Sequence, residues 1–488
     1  MSFLGIDIGT SGLRVLLMDE TGQPVGVAEQ RYATTHPSAG WSEQDPADWI
    51  TALEAAVTQL RDDYPAFANI KGIGVAGHMH GAVVLDASDK VLRPCIMWND
   101  TRSHAEATRM DTQPEFRRLS GNIVFSGFTA PKLEWLRAHE PDIHARAAKV
   151  LLPAAYLNLY LTGEHVCDMS DASGTAWLDL AARAWSAPLL QGGQMTADQM
   201  PKLVEGSAPA GLVRADLAAR WGIRTPVAVA GGAGDNAAAA CGLGAMDEGA
   251  GFVSFGTSGV LLMARRGCHP APETALHTFC HAVPERWYQM GVMLAATDCL
   301  NWLSTITGVP PQSLTTALGD QIAAPGPVQF YPYLSGERTP HNDAAIRGGF
   351  CGLDIATTRD DLTRAVLEGV CFGLRDTLEA LKQTGGTFTR LYAIGGGSAS
   401  RYWLSLLATV LNIPLHIPDG REFGAALGAA RLGRAAATDT PPKQIMAAAP
   451  TSEIIAPVAA LTDAFDARYA LFRTGYGTLD ALQNGRRV

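Results

Sequence analysis

The chain has 488 residues, 47% of them apolar and 18% charged, with 38 Lys and Arg against 48 Asp and Glu and a formal charge of −10. Length allows about two to four domains, and the composition provides for buried cores and excludes a largely disordered chain. The acidity excludes broad nucleic-acid or membrane-surface binding, which needs a cationic face. The longest uncharged stretch, 299–319, is interrupted by Pro310 and Pro311, so no membrane-spanning helix is expected.

In chain order, Phe3–Ile8 and Leu13–Asp19 read as strands joined by the tight turn Gly9-Thr10-Ser11-Gly12, and Pro24–Glu29 as a third strand. Asp45-Pro46 opens a helix, with an N-cap acid and Pro at the first position, and apolar periodicity carries it to about Leu60. Lys71–Ala76 and Gly81–Leu85 return to strand, and helix and strand signals alternate from there on, which selects layered α/β. Leu391–Ile394 is a strand leading through Gly395-Gly396-Gly397 to a helix over Arg401–Leu411, capped by Ser398 or Ser400. The eight cysteines hold no zinc spacing and read as thiols in a reducing compartment. With no basic and apolar leader pattern at the N-terminus, a cytoplasmic protein is expected.

One echo organises the whole. Ile8-Gly9-Thr10-Ser11-Gly12-Leu13 returns, close to half the chain later, as Phe255-Gly256-Thr257-Ser258-Gly259-Val260. Each turn lies between apolar strand-like runs, which predicts two similar lobes with a boundary near residue 244. The lobes are expected over 1–243 and 244–434, with a helical tail over 435–488 packing back on them.

Paired Ser/Thr-Gly turns present clustered backbone N–H groups, the kind of nest that holds phosphate oxygens without many cations. Asp7 precedes the first turn and is placed to hold Mg²⁺ beside phosphates; Ser254 stands at the equivalent place in the second. The plainer reading is two ordinary hairpins. The glycine cluster at 395–397 is either a close approach to a nucleotide or a plain turn. In Gly234-Asp235-Asn236 the acid is either a base for a substrate hydroxyl, with Asn236 bonding a neighbouring hydroxyl, or an N-cap. His78 and His80 would face one side of an extended chain, but no third ligand supports a metal there. Trp98-Asn99-Asp100 suits sugar recognition and equally a buried Trp before a turn. Gly72-Ile73-Gly74-Val75-Ala76-Gly77 satisfies GxGxxG, yet it lies within a strand and opens no helix, so it is not a dinucleotide fingerprint. No GxxxxGK[ST] exists, which excludes a P-loop.

Asp7-x-Gly9-Thr10, the second Gly-Thr-Ser-Gly turn and the strand before Gly-Gly-Gly together resemble the actin-like ATPase superfamily. Within it, Phe128–Leu136, Gly348–Leu353 and Asp361–Glu368 are similar to segments of the FGGY carbohydrate kinases, and the likeness spans nearly the whole chain. The resemblance implies two ribonuclease-H-like lobes flanking a catalytic cleft, with ATP and Mg²⁺ between them. Met79-His80-Gly81, Trp98-Asn99-Asp100, Gly234-Asp235-Asn236, 170–175 and 334–341 look like the branch that phosphorylates D-xylulose at C5. By that resemblance Asp235 is the general base and Asp7 organises Mg²⁺. Thr10, Ser11, Arg14, Gly256 and Thr257 surround the phosphates, and Gly396 and Gly397 back the adenosine. Met79, His80, Trp98, Asp235 and Asn236 hold the sugar. A small-molecule partner and a homodimer are implied. The alternatives are a kinase of another ketose or a polyol, ribulose among them, and a non-catalytic nucleotide switch or sugar sensor. The loop carrying Glu337 and Arg338 is expected to pack between domains.

Overall fold

The computed structural model describes residues 1–224, 226–419 and 424–484; the end of the expected tail, 485–488, lies outside the described residues. The first sheet is built from β1 (Ser2–Ile8), β2 (Gly12–Asp19), β3 (Pro24–Arg31), β4 (Ile70–Gly77), β5 (Pro209–Leu212), β6 (Ala228–Ala230) and β7 (Ala233–Gly234). The second contains β8 (Ala250–Phe255), β9 (Gly259–Arg265), β10 (His277–Cys280), β11 (Trp287–Met293), β12 (Arg390–Ile394), β13 (Leu415–Pro418) and β14 (Thr451–Ile455).

The first sheet runs β5-β6-β4-β1-β2-β3, with β7 also pairing β4; the second runs β10-β11-β9-β8-β12-β13-β14. In each, the strand before a Gly-Thr-Ser-Gly turn pairs antiparallel with the strand after it and parallel with a later strand: β1 with β2 and β4, β8 with β9 and β12. The tetrapeptide echo therefore marks equivalent places in two equivalent sheets, and the α/β, two-lobed expectation is met. β1 and β8 are central and nearly continuously apolar, as strands covered on both faces must be.

The helices that matter for the site are α1 (Pro46–Asp63), α2 (Thr129–His139), α3 (Asp235–Leu243), α4 (Thr297–Thr307), α5 (Arg359–Gln383), α6 (Arg401–Leu411), α7 (Gly424–Ala437) and α8 (Ala459–Asn484). Asp45 caps α1 by accepting from Ala47 N at 2.9 Å, and Ser400, not Ser398, caps α6 through Trp403 N at 3.3 Å. Helix α7 lies in the chain between β13 and β14 of the second sheet yet packs on β4, β1 and α3 of the first. Its approach needs glycine. A Cβ on Gly428 would fall 1.8 Å from Ala238 O, and one on Gly74 2.0 Å from Ala429 O. The glycines of the 72–77 stretch thus serve helix-on-sheet packing, consistent with their place inside β4. In the C-terminal tail, β14 extends the second sheet and α8 packs over α6.

Candidate active site

Three chain segments leave the first sheet at one edge. Asp7, next to last in β1, is in register with Ala76 of β4, and Gly234 at the end of β7 is in register with Gly77. Asp7, the Met79-His80 segment and Asp235 are thereby brought to the carboxyl ends of adjacent strands, where α/β sheets place ligand chemistry. Asp235 is the first residue of α3, and Gly234 is its N-cap, so the carboxylate does not cap the helix. It accepts instead from Asn236 N at 2.7 Å and Asn236 Nδ2 at 2.9 Å. Burial pushes its carboxyl up to about 6, against those hydrogen bonds. Asp7 is pushed up to about 7 by burial and by Asp235, with the Arg14 guanidinium acting the other way. Arg14 stands opposite Asp7 across the β1–β2 hairpin and pairs with Glu29 at 2.5 Å.

The first turn closes through Gly9 N donating to Gly12 O at 2.9 Å. It is braced by Tyr32 Oη on Gly9 O at 2.6 Å, Gln44 Nε2 on Thr10 O at 2.6 Å and Trp98 Nε1 on Thr10 Oγ1 at 3.1 Å. Trp98 therefore touches the first Gly-Thr-Ser-Gly turn itself. Ser11 is exposed at the tip. The second turn is tied to the start of α4: Gly256 O accepts from Thr297 N at 3.0 Å and Thr297 Oγ1 at 2.8 Å, and Thr257 O from Ala296 N at 2.8 Å. Gly395, at φ 87°, carries the chain from β12 into the glycine cluster. A Cβ on Gly397 would lie 2.7 Å from Phe255 Cβ, so this cluster and the strand end leading into the second Gly-Thr-Ser-Gly turn are in close contact. Beside them lies a cavity of about 660 Å³ lined by Gly396, Gly397, Ser400, Thr297, Gln312 and Asp320. The last three were not singled out from sequence; nothing local in 297–320 marks them.

Met79 is buried beneath Gly234 and Gly174, either of which would clash with it if it carried a Cβ. His80 has φ 73°, donates through Nδ1 to Gly174 O at 2.7 Å, and stacks on Phe128 at 4.7 Å. That backbone turn corrects the picture of two histidines side by side. His78 packs edge-on to Trp49, at 5.6 Å, and both of its ring nitrogens are buried without a hydrogen-bond partner among the described residues. Burial pushes both imidazoles down to about 3, so they are neutral. The buried Lys132 of α2 donates to His80 O at 2.8 Å and Gly127 O at 2.7 Å, and burial brings its ammonium down to about 7. Lys132 lies in the 128–136 segment, whose motif signalled it without assigning it a task.

Asp7 suits a hard divalent cation. It is an oxygen donor two residues before the Gly9–Gly12 turn, with a second carboxyl near it whose repulsion a cation would relieve. Among the described residues, the one group of three Cys, Asp, Glu or His side chains clustered closely enough to share an ion is Cys167, Asp168 and Asp171. It lies behind Asp235: Ser170 Oγ accepts from Gly234 N at 3.1 Å and donates to Asp168 Oδ1 at 2.5 Å.

These features define a kinase-like cleft, and the comparisons agree. Residues 2–242 match the N-terminal domain and 251–437 the C-terminal domain of the FGGY family of carbohydrate kinases; the chain belongs to that family. It is 45% identical to the xylulose kinase of Escherichia coli K12 over 439 residues, covering 89% of this chain and 90% of that one. The crystal structure of a xyloylose kinase from Brucella ovis superposes with a TM-score of 0.98 at 54% identity, covering 99% of this chain and 100% of that one. The xylulose kinase of Rhodospirillum rubrum superposes at 0.92 with 29% identity over 99% and 100% of the two chains. The protein is a sugar kinase. No helix among the described residues is long and apolar enough to cross a membrane.

Proposed function

We propose that the protein transfers the γ-phosphoryl group of ATP to the C5 hydroxyl of D-xylulose, giving D-xylulose 5-phosphate and ADP. Asp235 carries the reading: a half-buried carboxyl at a helix start, held by Asn236, next to Gly234 over Met79 and near Asp7. The xylulose kinases of Escherichia coli and Rhodospirillum rubrum support the choice of sugar.

A sugar hydroxyl is a poor nucleophile at neutral pH. Asp235 takes the C5 hydroxyl proton as O5 bonds to the γ-phosphorus, while the bond from that phosphorus to the bridging oxygen breaks and ADP leaves. A positioned base contributes about 10²–10⁴-fold. Alignment and charge stabilisation supply the rest, because phosphoryl transfer needs little covalent help from the protein. Thr10, Ser11, Arg14, Gly256 and Thr257 surround the phosphates, and Gly396 and Gly397 back the adenosine. Met79, His80, Trp98 and Asn236 hold the sugar. Asp7 holds Mg²⁺, which when bound neutralises phosphate charge. By this reading 1–243 supplies the sugar pocket and first phosphate turn, and 244–434 the second turn and the adenosine site. Approach of the two lobes excludes water, which competes for the phosphoryl group.

The test is ADP release with Mg-ATP in the presence of D-xylulose, D- and L-ribulose, glycerol or gluconate. Strong stimulation by D-xylulose above the others is expected. Preference for another sugar overturns the substrate, and no stimulation by any of them overturns the enzymatic reading.

A further inference from the structure

The 334–341 loop is stapled to β11. Thr339 N donates to Val292 O at 3.1 Å, and Val292 N donates to Thr339 Oγ1 at 3.0 Å. Glu337 Oε1 accepts from Leu294 N at 3.1 Å and from Arg338 N at 2.7 Å, so this carboxylate anchors backbone. The Arg338 guanidinium is left without an ion-pair partner among the described residues. It lies 4.6 Å over the Phe125 ring, with Nη1 3.5 Å from His277 Nε2. His277 stacks on Phe279 at 5.2 Å, and Phe279 lies 6.1 Å from His80. Arg338 and His80 thus share one aromatic wall, to which the first lobe gives Phe125 and Phe128 and the second gives His277 and Phe279. A loop expected to pack between domains thus sets beside this wall a guanidinium that forms no close ion pair among the described residues, with Glu337 as the acid acting on it from a distance.

The pocket has a direction. Asp235 follows Gly234, Gly234 touches Met79, Met79 reaches Gly174 and His80, and the aromatic wall continues from His80 to Arg338. With the C5 hydroxyl at Asp235, the C1–C2 end of a five-carbon sugar points to Arg338. The chemistry of the substrate makes that end matter. In a 2-ketopentose the five-membered hemiketal closes through O5, the atom that must be phosphorylated, so the reacting form is the open-chain ketone. Its C2 carbonyl, once removed from water, needs a donor. A guanidinium offers a planar fork of N–H groups and cannot lose its charge.

We infer that Arg338 determines specificity by donating to the C2 carbonyl of the open-chain ketose, selecting ketones over the corresponding alditols. The inference rests on the proposed kinase reading. Its test compares, in one preparation of each protein, kcat/KM for D-xylulose with the inhibition constant of xylitol, which lacks the carbonyl. Arg338→Met is expected to lower kcat/KM for the ketose by about 10- to 100-fold, the worth of a charged hydrogen bond, and to move xylitol inhibition by less than about 3-fold. Both values weakening together, or neither moving, overturns the assignment. Should Arg338→Met not fold, Arg338→Lys keeps the charge and removes the fork, and it is expected to shift the same ratio in the same direction; an unshifted ratio there overturns the assignment too. A wild-type protein that does not turn over D-xylulose overturns the parent reading and this one with it, a result seen before any variant is made.

Discussion

Asp7 and Asp235 leave neighbouring positions of one sheet edge: Asp7 pairs with Ala76 and Gly234 with Gly77, on the same central strand β4. Two half-buried carboxyls are thus set near each other, and Arg14 is the cation acting on Asp7. Repulsion of this kind is relieved by a cation or by a proton, and it is a common feature of sites that handle both.

The pH dependence follows from Asp235. Its carboxyl titrates near 6 and must be ionised to accept a proton. Activity is therefore expected to be present above that pH and to fall about tenfold per unit below it, read as kcat/KM for the sugar at saturating Mg-ATP. Asp235→Asn is expected to lower kcat by about 10²–10⁴-fold while nucleotide binding by calorimetry persists. Near-normal turnover in that variant removes Asp235 from the role of base.

Asp7→Asn keeps the shape and removes the charge. The Mg²⁺ concentration giving half-maximal rate is expected to rise by about tenfold or more, since one charged oxygen donor is lost from a cation held largely by phosphates and water. Titration of rate against free Mg²⁺ at fixed ATP reads this directly. An unmoved midpoint rules out Asp7 as the organiser of the ion.

What the sequence made legible was local. The repeated Gly-Thr-Ser-Gly turn pointed to equivalent hairpins in two sheets, and Pro46 and Ser400 marked helix starts because capping acts within one turn of chain. What it hid depends on contacts from far along the chain. Gly72 and Gly74 form a deceptive motif because their partners, Gly433 and Ala429, lie in a helix near the other end. Met79 and His80 could be picked as a pair, but not the left-handed turn at His80 that separates it from His78. The loop of Glu337 and Arg338 reads only as packing between domains, and it takes its bonds to β11 to fix where its backbone runs.

Asp171 is a buried carboxyl with neither oxygen hydrogen-bonded among the described residues. Burial, Asp168 and Asp235 raise it well above the usual carboxylate range. Its folded-state value exceeds its unfolded value, so the unfolded chain gives up this proton first. The resulting penalty is absent below about pH 4 and grows as pH rises from there toward the folded-state value. Asp171→Asn is accordingly expected to leave Tm nearly unchanged at pH 4 and to raise it at pH 8. Equal shifts at both values, or a lower Tm at pH 8, contradict this account.

Lys132 joins stability to the sugar pocket. Its ammonium, fully buried on α2, donates to the carbonyls of His80 and Gly127, and so holds the residue whose positive φ shapes the pocket floor. Lys132→Met preserves most of the volume but leaves Gly127 O without that donor and His80 O with Thr129 Oγ1 at 3.2 Å. An unpaired buried carbonyl costs about 1–3 kcal/mol, so Tm by calorimetry should fall. The same loss frees the His80 backbone, and the sugar KM is expected to rise about tenfold or more while the ATP KM stays within about twofold, because no described residue of α2 lines the cavity beside Gly396 and Gly397. A lower Tm with an unchanged sugar KM would confine Lys132 to the fold. Both moving together ties the buried ammonium to substrate positioning through the one carbonyl that it shares with His80.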